Sequence, residues 1–140
     1  MKTLWFSIIG LFAAMVVIPV ACEQSDDHDD VRLTGNTWTV VSLTRPAQTI
    51  RRSAENTYML EFVNDTSYTL GLDVNHCSGK YRIQAPNHLE FTGPICTEIC
   101  CDTEYAIDLA CLIGQTSRYR IEQGYLILTG DETIMLKREN

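Results

Sequence analysis

Short runs in which apolar residues fill every second position constrain the fold of this chain most strongly. Tyr58, Leu60 and Phe62 form one such run, and residues 68–72 repeat the pattern after the turn at 64–66. A period of two is typical of a strand with one buried face. Because Asn-Asp-Thr is turn chemistry, the two runs predict a hairpin.

The same periodicity predicts most of the remaining domain. Six further strands are expected, at 37–44, 81–85, 89–91, 118–122, 125–129 and 133–138. Residues 45–56 show little pattern and are interpreted as a loop. About eight short strands with close turns predict a mainly β fold, either a small barrel or a sandwich.

One segment changes to helical period. Between Asp102 and Ile113, apolar residues recur at the spacing of a single helix face. Asp102 is expected to cap this helix and Gly114 to end it. Cys111 falls on the opposite face and is therefore expected to point towards a loop or water.

The N-terminus predicts export. Lys2 precedes an apolar stretch that ends at Ala21-Cys22, and this arrangement is typical of a secretory signal. The cysteine resembles the lipobox of bacterial lipoproteins, although Pro19 stands where that box usually has Leu. We therefore expect residues 1–21 to be a signal peptide and Cys22 to be lipidated. A plain secreted protein and an uncleaved membrane anchor are the alternatives.

Charge is concentrated just after this junction. The formal net charge is −7, and residues 23–30 form a dense acidic run. The run resembles surface-export tags of some Gram-negative lipoproteins, and it also fits a solvated spacer. The expected organisation is an acidic tether at 22–32 and a domain at 33–140. No basic stripe that would bind nucleic acid is visible in the sequence.

Five cysteines beyond Cys22 predict disulfides, because an exported chain meets an oxidising compartment. They are Cys77, Cys96, Cys100, Cys101 and Cys111. A strained bond between Cys100 and Cys101 is excluded. Cys111 is excluded as a partner of either, because the predicted helix separates them by roughly 15 Å. Six of the fifteen two-bridge pairings survive. In all six, Cys77 and Cys96 each form a bridge, but to different partners and not to each other. The free thiol is Cys100, Cys101 or Cys111.

Reactive chemistry has little support in the sequence. A nucleophile elbow, a phosphate loop and a dinucleotide fingerprint are all missing from it. His76 adjoins Cys77, but neighbours along a strand face opposite ways. Together with Cys96, Cys100 and Cys101 they could offer zinc ligands. The spacing is unusual and oxidation competes, so structural disulfides are favoured, and we expect no metal, cofactor or enzymatic activity.

Three stretches carry a family resemblance. Residues 33–43 place Trp38 in an opening strand rich in Val and Thr. Residues 73–81 fit the pattern G-C-N-x-x-x-G-x-Y at Asn75, Gly79 and Tyr81.

The third stretch fits T-x-x-x-C at Thr97 and Cys101. In this order the segments resemble the META domain family, the HslJ-like envelope lipoproteins, over residues 33–138. One departure is Asp73-Val74, which stands where the family has Gly-Cys. The resemblance therefore leaves the disulfide pattern open.

The resemblance implies a small, partly open β-barrel with one helix, located in the bacterial envelope. Asn75 and Gly79 are expected to form a tight hydrogen-bonded loop, and Tyr81 to begin the next strand. Trp38, Thr97 and these three residues are interpreted as fold determinants.

Three functional hypotheses follow. The first is a lipid-anchored protein of the outer membrane or cell surface that acts without catalysis, through contact with an envelope or extracellular protein. The second is a lipocalin-like binder of a small apolar ligand, because Gly35-x-x-Trp38 resembles the lipocalin G-x-W motif. The third is an inhibitor of secreted proteases that would use residues 45–56.

Overall fold

The structure is a computed structural model, and it describes residues 32–139 apart from residues 46, 48 and 85. The predicted signal peptide, most of the predicted tether and Cys22 lie outside the described residues.

Within that range the chain forms nine strands and one helix. The strands are β1 (Thr37–Arg45), β2 (Ile50–Ser53), β3 (Met59–Asn64), β4 (Ser67–Gly71), β5 (His76–Gln84), β6 (His88–Cys96), β7 (Arg118–Glu122), β8 (Tyr125–Thr129) and β9 (Thr133–Arg138). The helix α1 (Glu104–Gly114) lies between β6 and β7.

All strand pairs are antiparallel, and β1 closes the sheet into a ring. On one side β1 pairs with β9, from Trp38 opposite Arg138 to Thr44 opposite Thr133. On the other side its first residues pair with β3 and its last residues with β2. The ring is incomplete between β6 and β7, where the ladder is reduced to His88 opposite Arg118. The predicted partly open barrel is therefore confirmed.

The segment predicted as a loop at 45–56 contains β2, a strand beyond the eight that the sequence predicts. β2 pairs with the end of β1, from Ser42 opposite Ser53 to Arg45 opposite Ile50. Sequence periodicity missed this strand because its residues are mostly exposed, so no apolar face marks it.

The predicted loop around Asn75 and Gly79 is shorter than expected. Asn75 does precede the strand, but β5 already begins at His76, so Gly79 and Tyr81 both lie inside it. Neighbouring groups lie so close to position 79 that only glycine fits there. A Cβ at this position would lie 2.7 Å from Cε1 of Tyr68 and would also meet the carbonyl oxygen of Thr92. A glycine read as a turn signal is here a contact point between strands.

The inward face of the ring is filled with large side chains. Trp38, Tyr58 and Phe62 are fully buried, as are Leu residues from most strands. Tyr81 packs edge-on against Phe62 with ring centroids 4.9 Å apart. The predicted alternation of inward apolar residues is confirmed for β3 and β4.

The helix packs through its predicted apolar face, burying Tyr105, Leu109 and Ile113. Its N-cap is Thr103, whose Oγ1 accepts from the backbone N–H of Ala106 at 3.3 Å. The expectation that Asp102 caps the helix is therefore wrong.

Two disulfides are present, and one contradicts the sequence reasoning. Cys77 and Cys96 are cross-strand partners on β5 and β6 with Cα atoms 3.9 Å apart, and they are bonded to each other. Cys100 and Cys101 form the vicinal bond that had been excluded. The six surviving pairings are therefore wrong, because each assigned Cys77 and Cys96 to other partners. Among the described residues the free cysteine is Cys111, which is exposed as expected.

Replacing Gly79 with alanine tests the close packing of β4 on β5. We expect Gly79→Ala to lower the free energy of unfolding by about 2 kcal/mol, because the added methyl group overpacks the Tyr68 ring. Chemical denaturation measures the difference. Gly71→Ala is the matched control, since its Cβ would meet its nearest neighbour at an ordinary 3.8 Å. Equal effects of the two substitutions would contradict this account.

Candidate functional site

Two loops meet at one end of the barrel, which we call the loop end. The first loop, residues 72–75, joins β4 to β5, and the second, residues 97–103, joins β6 to α1. The disulfide Cys77–Cys96 lies directly beside them, since Cys77 is the second residue of β5 and Cys96 is the last of β6. Both loops are therefore held at their bases by a covalent bond.

The side chain of Asn75 joins the two loops. It is 6 % exposed, and its Nδ2 donates to the carbonyl of Ile99 and to Oδ2 of Asp102, each at 2.6 Å. Its Oδ1 accepts from the Ile99 N–H at 2.8 Å and from Thr97 Oγ1 at 2.6 Å. Because the amide uses both donors and both lone pairs, its hydrogen-bonding capacity is fully used.

The carboxylate of Asp102 completes this junction. Its Oδ1 accepts from the backbone N–H groups of Val74, at 2.9 Å, and Asn75, at 3.3 Å. Partial burial acts to raise the pKa of Asp102, but the hydrogen bonds from Val74 and Asn75 outweigh it and hold the pKa below its ordinary value. Since both oxygens of Asp102 bind the first loop, its position before the helix serves loop docking and not helix capping.

Asp73 ties the first loop to the start of the helix. Its Oδ2 accepts from the backbone N–H of Thr103 at 2.9 Å and from Thr103 Oγ1 at 2.7 Å, while Asn56 Nδ2 donates to Oδ1 at 2.6 Å. Burial acts to raise the pKa of Asp73, and the bonds from Thr103 and Asn56 lower it by more. The net effect is a pKa below the ordinary value.

These contacts leave little free chemistry in the junction. The side chains of Asp73, Asn75, Thr97 and Asp102 all form hydrogen bonds, with one another, with the backbone, or with Thr103 and Asn56, as structural groups do. The four cysteines proposed as zinc ligands are paired in disulfides, so they offer no thiolate. Within the described residues there is no group of three or more His, Cys, Asp or Glu side chains placed to hold a metal.

An open groove of about 520 Å³ runs over the outer face of β4, β5 and β6 beside the junction. It is lined by Thr69, His76, Cys77, Ser78, Ile95, Cys96 and Thr97. His76 is exposed and Cys77 is buried, so the predicted opposite orientation of these neighbours is confirmed. Ile95 is 78 % exposed, which makes it the most exposed large apolar side chain among the described residues.

The structure separates the predicted site residues into two groups. Asn75, Thr97 and the four bonded cysteines come together at the loop end. Trp38 and Tyr81 lie in the interior, and Tyr81 Oη donates to the carbonyl of Asn64 at 2.8 Å, near the opposite end.

Sequence reasoning missed the parts that Asp73, Asp102 and Ile99 play at the junction. No direct signal in the sequence marks the two acids, because the backbone N–H groups that they accept from lie 27 to 30 residues away along the chain. The Ile99 backbone groups leave no trace in the sequence.

No helix among the described residues has the length and apolar character needed to span a membrane.

Comparisons with known proteins agree on the family and the fold. The family model described as META domain matches residues 31–140. An NMR structure of a protein from Burkholderia xenovorans superposes with a TM-score of 0.63 at 17 % sequence identity, covering 77 % of this chain and 84 % of that one. A search of curated proteins finds no significant match. At this identity the solved structure supports the fold alone.

Asn75 provides a direct test of the junction. We expect Asn75→Ala to lower the free energy of unfolding by about 3 kcal/mol, since it removes four part-buried hydrogen bonds to residues 97–102. The matched control Asn56→Ala removes an exposed bond to Asp73 and should cost under about 1 kcal/mol. Urea denaturation of both variants gives the comparison, and equal losses would show that the junction is not a major source of stability.

The lowered pKa values predict an acid-sensitive junction. A carboxyl group whose pKa is lower in the folded state stabilises that state above the unfolded pKa and loses this effect as pH falls through the folded pKa. The free energy of unfolding should therefore decrease below ~pH 4, and less steeply in Asp102→Asn.

Denaturation at a series of pH values measures this slope. Asp131→Asn, which changes a carboxylate in the exposed β8–β9 turn, serves as the control and should keep the slope of the wild type. If Asp102→Asn keeps that slope as well, the Asp102 hydrogen bonds do not produce the acid sensitivity.

Proposed function

Because the chain belongs to the META domain family, we propose that it is a lipid-anchored cell-envelope protein that acts without catalysis, by contact with another protein. Membership of this family supports a small envelope-type domain. Anchoring through Cys22 and a position at the outer membrane or cell surface are proposed from the Ala21-Cys22 junction and the acidic run that follows it.

The filled interior is the observation that carries the contact hypothesis. Four large side chains occupy the space that a lipocalin-like binder would keep for its ligand, and each is at most 1 % exposed. They are Trp38, Tyr58, Tyr68 and Leu70. Large side chains in the centre of the ring favour a function at its surface over the binding of an apolar molecule inside it.

Residues 45–56 give little support to the hypothesis of a protease inhibitor. Part of this segment is β2, and Arg52 anchors it by donating to Asp108 of the helix at 2.7 Å. The Arg52 guanidinium also lies over the ring of Tyr105, 5.6 Å from its centroid. A segment held at β2 differs from the protruding loop that such an inhibitor would present.

The anchor predicts a lipid on Cys22. We expect the intact mass of protein purified from its native membrane to match a chain that begins at Cys22 and carries a diacyl or triacyl modification. Cys22→Ser should move the protein out of the membrane fraction, because the acyl chains supply the binding energy. Val20→Ala, which keeps the cysteine, is the control. An unmodified Cys22 in the purified protein would contradict the anchor.

Protein contact predicts a specific cross-linked product. A photo-reactive amino acid placed at single exposed positions around the domain should give a discrete higher-mass band at some positions and not at others. Cells that produce the full chain are irradiated, and the products are separated by mass. If every position gives only the unlinked protein, the contact hypothesis is wrong.

A further inference from the structure

Acidic side chains are concentrated at the loop end. The loops and element ends there carry Glu55, Asp73, Glu98, Asp102, Glu104, Asp108, Asp131 and Glu132. The cations on the same side are Arg45, Arg51, Arg52 and Arg118, the last of which pairs with Thr129 just before the turn that carries Asp131 and Glu132. Two of them are in ion pairs, Arg45 with Glu132 and Arg52 with Asp108, each at 2.7 Å. The loop end therefore has a clear excess of negative charge, and it attracts cationic groups.

We call these eight acids the acidic rim. Three exposed apolar side chains lie in or next to the two loops at this end. Val74 is 44 % exposed, Ile99 is 59 % exposed and Ile95 is 78 % exposed. Val74 and Ile99 are brought together by the junction, since Asn75 follows Val74 directly and bonds both backbone groups of Ile99. Ile95 continues the surface into the groove that Thr97 and His76 also line. We call these three residues with the groove the loop-end surface.

The loop-end surface is also held in one shape. Its two loops are joined by the Asn75 amide and the Asp102 carboxylate, and the disulfide Cys77–Cys96 fixes their bases. Fixed loops lose little conformational freedom when they bind, which favours a specific contact.

We propose that the loop-end surface binds a protein segment in which lysine or arginine residues flank apolar side chains. The inference rests on the proposed contact function and names its surface and the chemistry of the partner. Apolar side chains of the segment would cover Val74, Ile95 and Ile99, and its cations would face Glu98 and the other acids of the rim. A second copy of this chain fits less well, because two acidic rims repel each other.

The test uses two synthetic peptides of equal length and apolar content. In one, lysines flank leucine and isoleucine, and in the other a glutamate replaces every lysine. Each is titrated into the isotope-labelled full chain while backbone amide signals are recorded by NMR. The lysine peptide should shift signals of residues 72–78 and 95–103, and added salt should weaken this binding because it screens charges. The glutamate peptide should leave these signals unchanged.

Paired variants locate the contact. Ile99→Ser should weaken binding of the lysine peptide about tenfold, since it removes a buried apolar contact from the complex. Ile83→Ser, at a 45 % exposed position near the β5–β6 turn, should have no effect. Glu98→Lys should weaken binding of the lysine peptide more than Ile99→Ser does, because it places a positive charge opposite the cations of the peptide. Glu122→Lys, in the distant β7–β8 hairpin, should leave binding unchanged.

Three results would overturn the proposal. These are equal binding of both peptides, no shifts with either, and shifts that depend on protein concentration alone, which would mean that a second copy occupies the surface. Photo-cross-linking distinguishes failure of the loop-end proposal from failure of the proposed contact function. Products at position 83 but not at position 99 would preserve protein contact and reject the loop-end surface, whereas products at neither would count against both.

Discussion

The loop end depends on one amide side chain. Asn75 is the point where the β4–β5 loop and the β6–α1 loop share hydrogen bonds, and all four of its side-chain contacts are made by residues 97–102. Without it the two loops would meet through the carboxylates of Asp73 and Asp102 and the groups that donate to them. An amide can donate and accept at one place, which neither a carboxylate nor a hydroxyl does with the same number of bonds.

The alternating strands could be predicted from sequence because one face of each is buried. The pattern Tyr58, Leu60, Phe62 carries that information directly. β2 could not be predicted, because its residues are mostly exposed and its place depends on hydrogen bonds to β1. Gly79 misled for a related reason: a glycine signals a turn or a close approach equally well, and only the position of Tyr68 decides between them.

The candidate site was predicted in part. Asn75 and Thr97 were identified through the family resemblance, but their meeting is a long-range contact that no local pattern encodes. The disulfides show the same limit. The exclusion of a Cys100–Cys101 bond was an argument about local geometry. Together with the exclusion of Cys111 as a partner of either cysteine, it also removed the Cys77–Cys96 pair, whose bond follows from the β5–β6 register. Register depends on the whole sheet, so cysteine spacing alone could not supply it.

The ring closes through the first and last long strands of the domain, since β1 pairs with β9. Trp38 on β1 therefore lies beside a strand that is made about a hundred residues later. Such distant pairing delays folding until the final strand is available. A chain that emerges from a ribosome in order, N-terminus first, would therefore remain open until its last residues are free.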